Sequence, residues 1–580
     1  MDVTQTFSRS RVLVRSWPFF IDLIIAAAGL ACFSAVLMVA HTWFGAAHPT
    51  ADIRLAPGAL PLYAIYSVVR MFIAYLLSLG FALTYGYIAA YNRRAEAFMI
   101  AILDILQSIP VLCFLPPVML AMVALFPTRQ LGLEMGAILL IFTGQVWNMA
   151  FSFYSSLKSL PVELKQAAEI YNFSAWQRFW QMELPYSSIG LVWNSMVSVA
   201  GGWFALVTCE MFPLQNTDVR LPGLGSYLQT SANLGDTSAT LWGLGTLLFI
   251  IILTDQLVWR PLIAWTERFK VESVESQRPA SSRILGMLQQ SRALHALREH
   301  TVLPWKEKLY CAMARRHNAR AQAPENPTKS RTRLAAFIFA MMILAAVIIY
   351  FASHALLLLR SLHGREVLVL MGDSAATFLR VNVALLLAAL WTIPAGVAIG
   401  FHPRLARIAQ PIAQIAASVP APAFYPILLL ILIRMGGGIG TGSILLMLLG
   451  TQWYILFNVI AGAMAIPTDL KEVANLFQFR NWQRWKMVIL PGIFPFLITG
   501  MVTASGGAWN ASIIAEYFHF RGQVLSTTGL GARINAATDS GQFSVILVAT
   551  ILISLMVVTV NRLVWRPLYR LAETRFRLDS

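Results

Sequence analysis

Little in this chain of 580 residues is equipped for covalent chemistry. Cys32, Cys113, Cys209 and Cys311 lie far apart at no metal-binding spacing, and the first three fall within long apolar stretches, where they read as small core residues. No phosphate-binding Gly-x-x-x-x-Gly-Lys loop, His-Glu-x-x-His pair or Gly-x-Ser-x-Gly elbow occurs. The chain is therefore read as non-catalytic, without a metal site, and any uphill work must draw on another polypeptide or an ion gradient. What it offers instead is polar and aromatic side chains inside apolar segments: Gln145, Trp147, Asn148, Trp203 and Glu210, then Gln452, Trp453, Trp509, Asn510 and Glu516. Unpaired polar groups at membrane depth are costly, so these are candidates to line a pathway for a polar solute. Glu210 and Glu516 would repel a wrong anion or pair with Arg, while Arg70 and Arg380 would draw in an anion or snorkel to headgroups.

These candidates come in pairs because the chain is duplicated. At an offset of 306 residues, Gly144 and Trp147 match Gly450 and Trp453, Glu210 matches Glu516, Gly223-Leu224-Gly225 matches Gly529-Leu530-Gly531, and the string LVWRPL at 257–262 recurs at 563–568. Upstream the offset is 310: Arg70 pairs with Arg380, Arg94 with Arg404, Pro110 with Pro420 and Pro116 with Pro426. The first half therefore carries four extra residues between 117 and 143. The most polar repeated stretches are VELKQAAEIYNFSAWQRFWQMELP at 162–185 and TDLKEVANLFQFRNWQRWKMVILP at 468–491. A polar loop kept in both halves of an oily protein is where something soluble docks. The repeat is parallel, so the halves are two similar units related by a pseudo-twofold axis.

Composition sets the solvent: 57% hydrophobic residues, 12% charged and a mean hydropathy of +0.64 exceed what a soluble core needs. Apolar runs long enough to cross about 30 Å of hydrocarbon as helices lie at 19–41, 63–91, 98–126, 133–156, 187–212 and 238–263, and again at 334–358, 374–400, 408–433, 442–464, 492–515 and 543–565. They are continuous rather than alternating, which favours helices over a β-barrel. The expectation is an all-α membrane protein of about twelve spans, six in 1–264 and six in 334–580. Arg9, Arg11 and Arg15 before the first span, Arg93 and Arg94 after the second, and Lys158, Lys165 and Arg178 after the fourth place these segments, and both termini, on the cytoplasmic side. The basic N-terminal region with its following apolar run is read as a retained helix and not a cleaved signal.

The segment 265–333 holds fourteen Lys or Arg against six acidic residues and reads as a basic cytoplasmic linker. Within it, 282–297 spaces apolar residues helically between Arg283, Arg292 and Arg298, the pattern of a helix lying on anionic lipid, and 324–333 reads as a tether. Much of the net charge of +17 is the cytoplasmic belt of the whole topology, so nucleic acid is not needed to explain it.

The loop pattern, an acidic residue with small ones, then an aromatic and Trp-Gln-Arg, then Leu-Pro, resembles the EAA loop of permease subunits of ABC importers. The loops concerned are 161–185 and 467–491. The likeness extends to Ser108-Ile109-Pro110 and Ser418-Val419-Pro420, to 201–210 and 507–516, and to both Gly-Leu-Gly turns. It is similar to the nitrate/sulfonate/taurine-type branch, in the form that fuses two permeases in one chain. The resemblance implies the type I importer permease fold in the bacterial inner membrane. It also implies a cytoplasmic ATPase dimer carrying ATP and Mg, none of it bound by this chain, and a periplasmic binding protein that delivers a small anion such as nitrate, a sulfonate or taurine.

In such loops a short helix acts as a knuckle seated on the ATPase. The residues at these positions are Lys165, Gln166, Ala167, Ala168 and Asn172, and Lys471, Glu472, Val473, Ala474 and Gln478. The small ones, Ala167, Ala168, Val473 and Ala474, are expected to permit close approach by the partner, and the charged ones to stay solvated. The pattern departs from the family in Gln166 for the first Glu, Val473 for the second Ala, and Asn172 and Gln478 for the Gly that usually follows. Asn tolerates a left-handed backbone and Gln does so poorly, so the two loops are expected to bend differently. Trp203 and Trp509, matched on the fifth helices, are expected to face each other as an aromatic constriction. Other fused permeases of the superfamily, for ferric ion, thiamine or polyamine, are the alternative. A secondary transporter with 6+6 parallel repeats would instead carry its charged signature between the second and third helices, where YNRRAEA and FHPRLAR stand here.

Overall fold

The computed structural model describes residues 52–127, 130–214, 217–269, 282–321, 364–434, 438–520 and 523–575, with 21–27 and scattered positions in 29–45 and 342–353. Among them, eight helices are long and apolar enough to cross a membrane. In the first half α1 (Leu60–Tyr91) is followed by α2 (Arg93–Ser108), α3 (Leu115–Leu125), α4 (Gln130–Lys158), the short α5 (Val162–Ile170), α6 (Leu184–Cys209), α7 (Leu224–Leu234) and α8 (Thr237–Thr254). The linker contributes α9 (Arg283–Gln290) and α10 (Leu303–Ala321). The second half repeats the order with α11 (Gly364–Phe401), α12 (Pro403–Ser418), α13 (Ala421–Arg434), α14 (Ile439–Ala465), α15 (Thr468–Leu476), α16 (Leu490–Ala515), α17 (Leu530–Asp539) and α18 (Phe543–Val560).

Of the twelve expected spans, that at 19–41 is described only in part and that at 334–358 lies largely outside the described residues. The third of each half, read as one run over 98–126 and over 408–433, is broken, and neither piece reaches the length of a span. The break falls at Pro110, whose φ of −57° and ψ of 129° are extended, and at Val419 before Pro420, with φ −79° and ψ 125°. Proline removes an N–H and pushes the preceding residue out of the helical region, so the expected kink becomes a full interruption. Two hairpins are also present that an all-helical reading misses: β1 (Met211–Leu214) with β2 (Thr217–Arg220), and β3 (Tyr517–Phe520) with β4 (Gln523–Ser526).

Each half is a sheaf in which α4 packs between α1 and α6, and α14 between α11 and α16. The interrupted helices cross over: α2 lies against α18 of the other half, and α12 and α13 against α8. The halves are thus interlocked and not merely abutted. One buried core runs through both, from Leu60 and Ala74 to Ala504 and Ile553. Outward-facing side chains such as Phe72, Leu386, Leu390 and Leu555 are exposed and apolar, as a lipid-facing surface requires.

Prolines also place the π-turns. Each of the five described, 179–183, 255–259, 298–302, 485–489 and 561–565, ends two residues before a proline, at Pro185, Pro261, Pro304, Pro491 and Pro567. Widening the preceding turn relieves the clash between the proline ring and the carbonyl four residues back. The LVWRPL repeat is one such site in each half. In the linker, α9 leads through Ser291, whose hydroxyl donates to Asp22 at 2.5 Å, tying this segment to the first helix.

Knuckles, interface and clasps: the candidate functional site

The two polar loops fold alike. Pro161 precedes α5, which ends in a left-handed residue, Asn172, at φ 49°; α15 ends in Gln478 at φ 48°. Phe173 N–H donates to Ala168 O at 2.9 Å and Phe479 N–H to Ala474 O at 3.1 Å, the six-to-one bond of a Schellman end. The expectation that the loops bend differently is therefore overturned: the turn's hydrogen bonds impose the left-handed backbone on Gln478 in spite of its side chain. The docking surface also needs correction. Ala168 and Ala474 are buried inside their own loops, so a partner does not reach them. Presented outward are Ile170 and Tyr171, and the matching Leu476 and Phe477, the first of each pair more than 80% exposed. Gln166, Glu472 and Val473 are exposed, while Lys165 and Ala167 are half-buried; of Lys471 only the backbone is described.

Each loop is pinned to the end of the first long helix of its half. Arg178 forms an ion pair with buried Glu183 at 2.8 Å and lies 4.7 Å from the centre of the Tyr91 ring, whose hydroxyl donates to Glu183. In the second half Arg484 sits 5.7 Å from the Phe401 ring, and Ile489 replaces the glutamate. Close by in the first half, Lys158 meets Glu96 at 2.7 Å, and with the Tyr154 hydroxyl it holds the Glu96 carboxyl below its usual range.

Between the halves lies a cavity of about 120 Å³, lined among others by Gly144, Gly201 and Phe204 on one side and Trp453, Tyr454 and Asn510 on the other. Of the pathway candidates, Trp453 and Asn510 are brought to it. Trp203 and Trp509 are not among its lining residues: both are buried, and Trp509 packs 6.5 Å from Phe378 of its own half. The residues after them, Phe204 and Asn510, take the facing places, because one residue turns a helix by about 100°. Gln145 likewise turns from the cavity, its amide 2.9 Å from Met71 Sδ on α1, and is fully buried. Gln452 is buried, and Trp147 is half-buried against the cluster around Phe153. A smaller cavity, about 100 Å³, lies between the halves nearer the hairpins, where Pro116, Pro422 and Pro426 border it.

At the hairpin end, of the two readings of Glu210 and Glu516, pairing with Arg is the one the structure bears out. Arg70, fully buried, donates to Glu134 through Nε at 2.5 Å and Nη2 at 2.8 Å, and to Glu210 through Nη1 at 2.8 Å. Glu210 also accepts from Ser67 Oγ at 2.6 Å and Gly225 N–H at 2.6 Å. In the second half Arg380 Nη1 meets Glu516 at 3.1 Å, with Thr377 and Gly531 N–H, at 2.8 Å each, in the same places. Arg70 and Arg380 thus neither snorkel nor wait for an anion, and Glu210 and Glu516 line no pore; they clasp the end of the fifth helix to the second. The Gly-Leu-Gly turns are explained by crowding. A Cβ on Gly223 or Gly529 would collide with the glutamate carboxyl, and one on Gly225 would stand 2.6 Å from Val207 O. Glu134, inside α4, falls opposite Gly440 of α14 at the offset of 306, so the second half has no such carboxylate and pairing the halves could not reveal it.

Comparison with known proteins agrees with this architecture. Residues 82–258 and 388–566 each match the family described as binding-protein-dependent transport system inner membrane component. The chain is 30% identical over 190 residues to a nitrate import permease protein of Leptolyngbya laminosa, covering 33% of this chain and 64% of that one. It is 29% identical over 184 residues to a taurine transport system permease protein of Escherichia coli, covering 31% and 62%. It is 26% identical over 192 residues to a bicarbonate transport system permease protein of Synechococcus elongatus, covering 33% and 66%. The chain thus spans less than two thirds of the length of these relatives. Two matched segments, one in each of two interlocked helical halves and together more than half of the sequence, make this chain a member of the family of binding-protein-dependent transport system inner membrane components.

Proposed function

We propose that this chain is the transmembrane permease subunit of an ATP-driven importer, in which its two halves form one pathway for a small anion of the nitrate, sulfonate, taurine or bicarbonate kind. The knuckles face the cytoplasm and seat an ATPase dimer that carries the ATP and Mg; the hairpins and clasps face the periplasm and receive a binding protein. Both termini are cytoplasmic, and the chain itself catalyses no reaction. The observation that carries this reading is the pair of knuckles. Two loops with the same left-handed turn present the same exposed aliphatic-aromatic pair, Ile170-Tyr171 and Leu476-Phe477. An exposed apolar tip rimmed by polar residues is the kind of surface that marks a protein interaction site and suits a groove on a partner. The anchors behind it, Arg178 on Tyr91 and Arg484 on Phe401, connect any movement of the knuckle to α1 and α11.

The test is Ile170→Glu combined with Leu476→Glu, which puts a charge at both tips without touching the bundle. The double variant is expected to reach the membrane in normal amount and to lose copurification with the system's ATPase. Normal recovery of the complex would reject this assignment. Ala168→Arg is a poorer probe, because that residue is buried and its replacement disturbs the loop's own fold.

A further inference from the structure

The halves differ most in a place that neither knuckle nor clasp uses. On the knuckle side of the central cavity the first half contains a cavity of about 420 Å³ whose polar lining comes from three helices. Asn148, Ser152 and Ser155 descend along α4 with Ser159 in the turn after it, Asn194 stands on α6, and Gln107 lies in the last turn of α2. Helical spacing stacks it along the same helices as the cavity between the halves: Asn148 is one turn beyond Gly144, and Asn194 is two turns from Gly201, both of which line that central space. Asn194 Nδ2 donates to Ser152 Oγ at 3.0 Å, whereas the Asn148, Ser155 and Gln107 side chains carry no hydrogen bond among the described residues. At the matching positions the second half has Tyr454, Asn458, Ala461 and Ala465 on α14, Gly500 on α16 and Ala417 on α12. The amide of Asn458 is engaged with Tyr454 O at 2.8 Å.

We infer that the first half alone supplies a release track for the transported anion, built from neutral hydroxyl and amide donors, along which the anion leaves the central cavity. This rests on the reading of the chain as an anion importer. Neutral donors replace part of an anion's hydration shell without the fixed positive charge that would hold it, so the anion is bound weakly enough to leave. Among the described residues, no Lys or Arg lines the cavity. The second half, with alanine and glycine in the same register, contributes a wall.

The test uses the whole transporter, with ATPase and binding protein, in proteoliposomes. In the triple variant Asn148→Ala, Ser155→Ala and Asn194→Gly, uptake of nitrate or taurine is expected to fall by about tenfold, the loss of a few neutral hydrogen bonds. Stimulation of ATP hydrolysis by the binding protein should stay near wild type, because these residues touch neither knuckle nor clasp. Wild-type uptake by the triple variant would overturn the track. A second measurement is independent of transport: labelling of Ser155→Cys and of Ala461→Cys by a sulfonate-bearing thiol reagent, with the native chain as background. Position 155 is expected to react at least about tenfold faster, as access to a wet polar cavity demands, and equal rates would overturn the proposal. If the wild type imports neither anion, the importer reading fails and the release track with it, while a labelling difference that holds still shows the one-sided, water-accessible polar cavity.

Discussion

Val111 and Asn510 are 399 residues apart in sequence and are joined by one hydrogen bond, the Val111 N–H donating to Asn510 Oδ1 at 2.6 Å. Val111 begins the helical turn directly after the Pro110 break, so its N–H is one of the orphan donors of a helix start. The acceptor that satisfies it belongs to α16 of the other half. The reciprocal cap does not exist, since the residue matching Asn510 is Phe204, which has no acceptor. One half thus caps the other across the interface between them.

Asn510→Leu leaves the Val111 N–H unsatisfied, at a cost typical of a lost cap, about 1 kcal/mol. Separation of the halves becomes easier by that amount, a factor of roughly five. ATP hydrolysis without binding protein is expected to rise correspondingly in reconstituted transporter, while Asn510→Asp, which keeps an acceptor, stays near wild type. Equal rates for Leu and Asp would show that the bond does not hold the interface shut.

The repeat made much of this legible in advance. Matching offsets located the knuckles, the Gly-Leu-Gly turns and the paired Arg and Glu residues, because duplication preserves what each half must do. Contacts peculiar to one half stayed hidden: Glu134 is answered by Gly440, and Glu183 by Ile489. Facing was the other blind spot. Trp203 and Trp509 occupy matched places, yet their neighbours face the cavity, and apolar helices buried on several sides give the sequence little amphipathic signal from which to choose. The hairpins were missed because four-residue strands between long apolar helices lack a period of their own.

The clasps predict unequal sensitivity to losing the arginine. Arg70→Met strands two carboxylates, Glu134 and Glu210, in the interior, and breaking such a buried pair costs about 3–5 kcal/mol. Arg380 serves one carboxylate and its side chain is 15% exposed. Arg380→Met should therefore cost less. Thermal unfolding of the two purified variants, compared with wild type in the same detergent, measures the difference; an equal or larger loss for Arg380→Met would contradict the asymmetry.

The turns that close the knuckles predict the opposite of inequality. Asn172 and Gln478 share the left-handed backbone at φ 49° and 48°, so the conformational demand on both is the same while their intrinsic tolerance differs. A non-glycine residue other than Asn or Asp pays about 1 kcal/mol there. Glycine removes that cost but gives back part of it through the freer unfolded chain. Gln478→Gly should thus stabilise the second knuckle by roughly 0.5 kcal/mol, and Asn172→Gly should change the first by less. Val at either position should be harmful to a similar degree, since a β-branched side chain fits this region worst. Hydrogen exchange at Phe173 and Phe479, whose amides close the two Schellman ends, reads each turn directly. Unchanged protection at Phe479 in Gln478→Gly, or harm from Val at one position alone, would show that packing around the tips and not backbone conformation sets the stability of the knuckles.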